Sequence, residues 1–208
     1  MSKQFTLLST GLCVCLIASN LFETKVFHAF GLSLTGGFLV FPISYILNDC
    51  LTEVYGYRKT QFAILTAMAM NAFVVGMAQL VRLLPPESFW DGQAHFDFIF
   101  AADLRITLAS MAAFVFGSLV NAKVMTRMKA RQGEKGFGWR AILSSLYGET
   151  VDSLIFFPIA FYTVGIKNML LMMATQIVLK TGYELVVLPI TARVVKRLKR
   201  TENIHPAA

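Results

Sequence analysis

The chain has 208 residues, of which 56% are hydrophobic and 15% charged, and its mean hydropathy is +0.61. An average soluble domain carries about 25% charged residues, so this chain has too few to wet its surface. That excludes a soluble enzyme, a disordered tail, a nucleic-acid module of ordinary composition and a large extramembrane catalytic domain, and leaves the formal charge of +7 to be explained by placement.

In chain order, six apolar stretches are long enough to cross a bilayer, at roughly 20 residues each. They are Phe5–Phe22, Thr35–Tyr55, Phe62–Leu84, Ile106–Met125, Ala141–Val164 and Met169–Val194. The first begins after Lys3 and resembles a secretory leader, but no strong small-x-small cleavage site follows Ala18-Ser19, so it is expected to be retained as a helix. Pro42 and the carboxylates Asp49 and Glu53 interrupt the second. Between the third and fourth lies Pro85 to Asp103, which mixes Phe89, Trp90, Phe96, Phe98 and Phe100 with acids and His95. Such a segment is expected at a membrane interface or capping the bundle. Ala109, Ala113 and Gly117 make a small-residue face suited to close helix packing. The three cysteines, Cys13, Cys15 and Cys50, sit in apolar runs without metal or disulfide spacing.

With the N-terminus inside, fourteen of the 19 basic residues fall on one side, four on the other, and Lys180 lies within a helix. This asymmetry sets an orientation with both termini cytoplasmic and accounts for the net charge without nucleic acid. The expected fold is an all-α, polytopic membrane bundle of six transmembrane helices, forming one domain over residues 1–208.

The informative residues are ionisable groups inside apolar helices: Asp49, Glu53, Glu149, Asp152, Lys180 and Glu184. An Asp or Lys at a helix centre costs about 2.5–3.5 kcal/mol on insertion scales, so these groups should face one another or water rather than lipid. Asp49, Glu149 and Glu184 each lie nine residues from a basic residue on their own helix, Arg58, Arg140 and Arg193. At a rise of about 1.5 Å per residue, that places all three near mid-membrane, with Asn71 at a similar depth. Glu149 and Asp152 are i, i+3, and Lys180 and Glu184 are i, i+4, so each pair shares a face. One lysine cannot neutralise five acids, and buried acids in excess mark substrate or proton paths. Phe41-Pro42-Ile43 and Phe157-Pro158-Ile159 recur at similar distances from Asp49 and Asp152, as an inverted repeat would have them. No nucleotide-binding loop, HExxH or GxSxG occurs, so no nucleotide hydrolysis, enzyme chemistry or cofactor is expected.

The run from Phe41 to Tyr57, FPISYILNDCLTEVYGY, resembles the signature of the bacterial queuosine-precursor transporter family, also described as vitamin uptake transporters. Further matches are Gly117 to Asn121 (near a position where relatives often carry an aspartate), Trp139-Arg140, Gly148 to Phe157, and Lys180 near Pro189. The resemblance implies import of cyano- and aminomethyl-deazaguanine across the cytoplasmic membrane. A guanine-like edge offers adjacent N–H donors that one carboxylate can accept in parallel. Glu149 and Asp152 are the first candidates to read it, then Asp49, with Lys180 holding their charge state and Asn71, Glu53 and Glu184 assisting. Phe41, Tyr45, Tyr147, Phe156, Phe157 and Tyr183 offer stacking faces. Partners are a small-molecule deazaguanine and the lipid bilayer; a homo-oligomer is compatible, and energising subunits are not expected. The competing reading is a substrate-capture subunit of an energy-coupling-factor importer, which would need a partner ATPase module.

Overall fold

A chain this apolar satisfies its backbone inside a bilayer by coiling it, and the computed structural model is accordingly dominated by helices. It describes residues 2–22, 24–29, 32–100, 104–133, 136–163 and 165–202. Lys135, Asp103 and Val164, which mark expected loop or span positions, lie outside the described residues. Seven helices are present among the described residues: α1 (Lys3–Phe22), α2 (Gly37–Tyr55), α3 (Tyr57–Arg82), α4 (Gln93–Phe100), α5 (Leu104–Gln132), α6 (Phe137–Ala160) and α7 (Ile166–Thr201). Five of them, α1, α2, α3, α5 and α7, are long and apolar enough to cross a membrane. The remaining long helix, α6, has 24 residues but carries Arg140, Glu149 and Asp152 with several serines, which dilutes its apolar character.

Two short strands, β1 (Val26–Ala29) and β2 (Leu32–Thr35), pair antiparallel between α1 and α2, with Val26 opposite Thr35 and Ala29 opposite Leu32. The expected second helix therefore starts late, because Thr35 belongs to a strand. The alternation Leu32-Ser33-Leu34-Thr35 is a period-two signal that favours extended chain.

Leucines at intervals of four, Leu8, Leu12 and Leu16, line one face of α1 and join Phe5 in the core. They meet Cys50, Leu51 and Val54 of α2, Ala63, Ile64 and Ala67 of α3, Phe114 of α5, and Val195 and Leu198 of α7. The tightest crossing is α5 on α6. A Cβ placed on Gly148 would stand 2.9 Å from the Gly117 carbonyl oxygen, so only glycine lets these backbones approach. Ala109 and Ala113 of the same α5 face are buried.

The ends of the bundle differ. At one end Ser2 Oγ lies 3.4 Å from Tyr55 Oη, which donates to Glu202 Oε1 at 3.1 Å, gathering the ends of α1, α2 and α7. At the other end α4 folds against α3: Arg82 Nε donates to Asp97 Oδ1 at 3.0 Å and Gln79 Nε2 to the Phe100 carbonyl at 2.8 Å. No residue of α4 is buried, and His95 is exposed. Pro42 falls near the start of α2 and Pro158 in the last turn of α6, so neither breaks a helix at mid-length.

Candidate functional site

The i, i+3 spacing of Glu149 and Asp152 turns both carboxylates from α6 toward α7, where Lys180 receives them. Lys180 Nζ is 2.9 Å from Glu149 Oε2 and 3.5 Å from Asp152 Oδ2. The same ammonium stands 4.1 Å from the ring centroid of Phe41 on α2, a cation–π contact in a desolvated setting. Phe41 leans on Tyr45, with ring centroids 5.6 Å apart, and meets Phe114 of α5 edge-on at 6.4 Å. Tyr45 is buried, its hydroxyl has no hydrogen-bond partner among the described residues, and it lies in the Gly117–Gly148 crossing. Four helices thus bring an ion triad and two aromatic faces to one interior point.

One turn along α7, Glu184 lies beside Asp49 of α2, flanked by Asn121 of α5 and Ser145 of α6. Asn121 Nδ2 donates to Ser145 Oγ at 3.3 Å. Both Asp49 oxygens, Glu184 Oε1 and Asn121 Oδ1 are buried without a hydrogen-bond donor among the described residues. This second group is rich in acceptors and poor in protons.

Three expected members stand elsewhere. Glu53 is drawn into a separate cluster, where its Oε1 accepts from Arg140 Nη2 at 2.9 Å and Lys199 Nζ at 2.6 Å, with Lys129 Nζ at 3.5 Å. Lys129 also donates to the Glu53 carbonyl at 2.5 Å. The offset of four residues from Asp49 carries Glu53 one turn toward the basic end, where the excess of cations claims it. Arg140, read from sequence as the basic marker of a helix end, is 0% exposed and points inward. Asn71 Oδ1 accepts from Asn20 Nδ2 of α1 at 2.9 Å, an α1–α3 contact, while its own buried Nδ2 has no partner among the described residues. Phe156 packs edge-on against Phe157 and Phe161, with centroids 5.5 and 5.9 Å away, whereas the ring under Lys180 is that of Phe41. Of the other aromatic candidates, Tyr147 is 57% exposed and Tyr183 meets Phe38 at 6.3 Å. Sequence reasoning passed over Ser145 altogether; its position one turn before Glu149 on the same helix was the available signal.

Long apolar helices around a buried, aromatic-faced ion cluster define a multi-pass membrane protein. The family model described as "Putative vitamin uptake transporter" matches residues 35–194, and the chain belongs to that family. It is 32% identical over 133 residues to the "Probable queuosine precursor transporter" of Haemophilus influenzae, covering 62% of this chain and 52% of the relative. It is 28% identical over 139 residues to the "Queuosine precursor transporter" of Escherichia coli, covering 64% and 57%. A "Probable queuosine precursor transporter" of Bacillus subtilis is 25% identical over 146 residues, covering 70% and 64%. The chain thus spans 52 to 64% of the length of these curated relatives. No solved structure matches. The family and these relatives are transporters, not enzymes.

Proposed function

We propose that this chain is a secondary transporter that carries cyano- and aminomethyl-deazaguanine across the bacterial inner membrane, reading the base at the Glu149–Lys180–Asp152 triad. The observation that carries this reading is the triad itself: two buried carboxylates ion-paired to one ammonium that rests on the face of Phe41. A carboxylate released from Lys180 accepts the adjacent N–H groups of a guanine-like edge, while the ammonium stays paired with the other acid. Phe41 and Tyr45 supply flat surfaces for the fused ring, an interaction of about 1–3 kcal/mol per base at nucleic-acid sites. Asp49 and Glu184 stand a turn away and complete the polar interior.

On this reading α6 is the sixth span of a single transporter domain. Its outward side is apolar, with Leu154 57% exposed, as lipid contact requires. The end bearing Arg140, Lys129 and Lys199 is cytoplasmic by the positive-inside rule, and so are both termini. The bilayer and the small molecule are the partners.

The test is uptake of labelled cyano-deazaguanine into proteoliposomes holding this chain alone, with Glu149→Gln and Asp152→Asn alongside. Uptake by the parent chain that both folded variants lose is the expected result. Binding without uptake would transfer the reading to a capture subunit that needs an ATPase module, and neither binding nor uptake would overturn the substrate.

A further inference from the structure

The ammonium of Lys180 is engaged by Glu149 and Asp152, so it does not neutralise the second pair of acids. Asp49 is 1% exposed and Glu184 6%, and they face each other across the α2–α7 contact. Tyr45 and Glu53 lie on the same helix as Asp49, Asn121 approaches from α5, Ser145, Glu149 and Asp152 from α6, and Lys180 precedes Glu184 on α7. Asn121 is 0% exposed; its amide approaches Asp49, and its Oδ1 has no hydrogen-bond partner among the described residues.

Ionised carboxylates only accept hydrogen bonds, and an amide oxygen likewise. Two adjacent carboxylates with no cation paired to them among the described residues, three of whose four oxygens are buried without a donor there, repel in a medium that screens poorly. Such pairs are satisfied by one shared proton, which converts the repulsion into an O–H···O⁻ bond. From this geometry we infer that Asp49 and Glu184 form a binding site for a single proton, separate from the Lys180 triad, and that the proton is taken up and released in the transport cycle. Binding attaches the proton to an oxygen of one carboxyl and leaves the pair with one negative charge. Release returns it to water and leaves two. The Ser145 hydroxyl and Asn121 amide flank the pair, and the ligand triad lies a turn away, so occupancy of one site changes the field at the other.

This inference rests on the transporter reading, but its first readout needs no substrate. Infrared spectra of the purified full chain in sodium-free buffer, taken from about pH 5 to about pH 9, report the carbonyl stretch of a protonated carboxylic acid. The expected band is present near neutrality, titrates away as pH rises, and is missing from the Asp49→Asn/Glu184→Gln double variant. Absence of the band from the parent chain at every pH overturns the proposal, as does its persistence in the double variant. Its removal by sodium at constant pH also overturns it, since the pair would then hold a metal cation. The second readout is accumulation of cyano-deazaguanine in proteoliposomes under an imposed inward proton gradient. One proton per neutral substrate lets the accumulation ratio rise up to about tenfold per unit of pH difference. Active uptake indifferent to the gradient overturns the coupling, whereas a titrating band in a chain that carries no deazaguanine leaves the proton site standing and removes only the substrate.

Discussion

Among the described residues two buried ion clusters share this bundle, and the contacts described for them run in opposite ratios of cation to acid. At the basic end three cations, Arg140, Lys199 and Lys129, converge on the single carboxylate of Glu53. In the interior one cation, Lys180, serves Glu149 and Asp152 while Asp49 and Glu184 lack a cation among the described residues. The difference matters because acids can adapt by taking a proton, and an arginine cannot adapt by losing one. The basic-end cluster is therefore a structural clasp joining α2, α5, α6 and α7. The interior is adjustable, and adjustability is what a site that must bind and release requires.

The largest effect should come from breaking the clasp at its centre. Glu53→Gln removes the carboxylate charge that holds the fully buried Arg140 guanidinium at 2.9 Å and the Lys199 ammonium at 2.6 Å. Removing one partner of a buried pair costs about 3–5 kcal/mol, so the variant should unfold at markedly lower temperature or denaturant in detergent. Equal stability to the parent would show that the clasp is not what holds the basic end.

Next in size is the α5–α6 crossing that frames the interior site. Gly148→Ala pushes a methyl to 2.9 Å from the Gly117 carbonyl and from Asn121 Cβ, neither of which is the free end of a flexible chain. Overpacking of this kind costs about 1–3 kcal/mol. Ligand affinity should fall with stability, because Tyr45 lies in the same crossing; melting and binding measured on one preparation would separate the two losses.

These two sites differ in how far they could be read without coordinates. Charge placed inside apolar periodicity is a strong signal, so the interior acids and Lys180 were legible, and their spacing on α6 and α7 gave the correct faces. Membership in one set of ionisable groups was a weaker guide, since it put Glu53 with Asp49 when one turn sufficed to move it among the cations. Partner choice between helices is a tertiary property: no spacing rule says that Arg140 turns inward or that Asn71 answers Asn20. The long helices follow from apolar length, whereas the β1–β2 ribbon rests on a short alternation that the neighbouring apolar runs overshadowed.

Lys180→Met sharpens the comparison from the interior side. Removal of the ammonium leaves Glu149 and Asp152 unpaired, but either can become neutral, so the stability loss should be smaller than that of Glu53→Gln. Binding of cyano-deazaguanine should nevertheless be lost. A stability loss as large as that of Glu53→Gln would mean that the interior cluster is a second clasp and not an adjustable site.

The smallest effect belongs to the ion pair at the far end, where solvent does most of the screening. Arg82 and Asp97 side chains are 28% and 39% exposed, and pairs of this kind contribute little and weaken further with salt. The hydrogen bond from the Arg82 guanidinium, helped by one from Gln93, holds the Asp97 carboxyl below the usual aspartate range. A lowered native value means that its stabilisation is complete above the pKa of an unfolded aspartate, about 3.9, and is lost as pH falls through the lowered value. Asp97→Asn should therefore differ slightly from the parent near neutrality at low salt, and the difference should vanish in strong acid or high salt. A melting difference that survived both would show that α4 is held by Asp97 through more than charge, and would make the far end a second structural clasp.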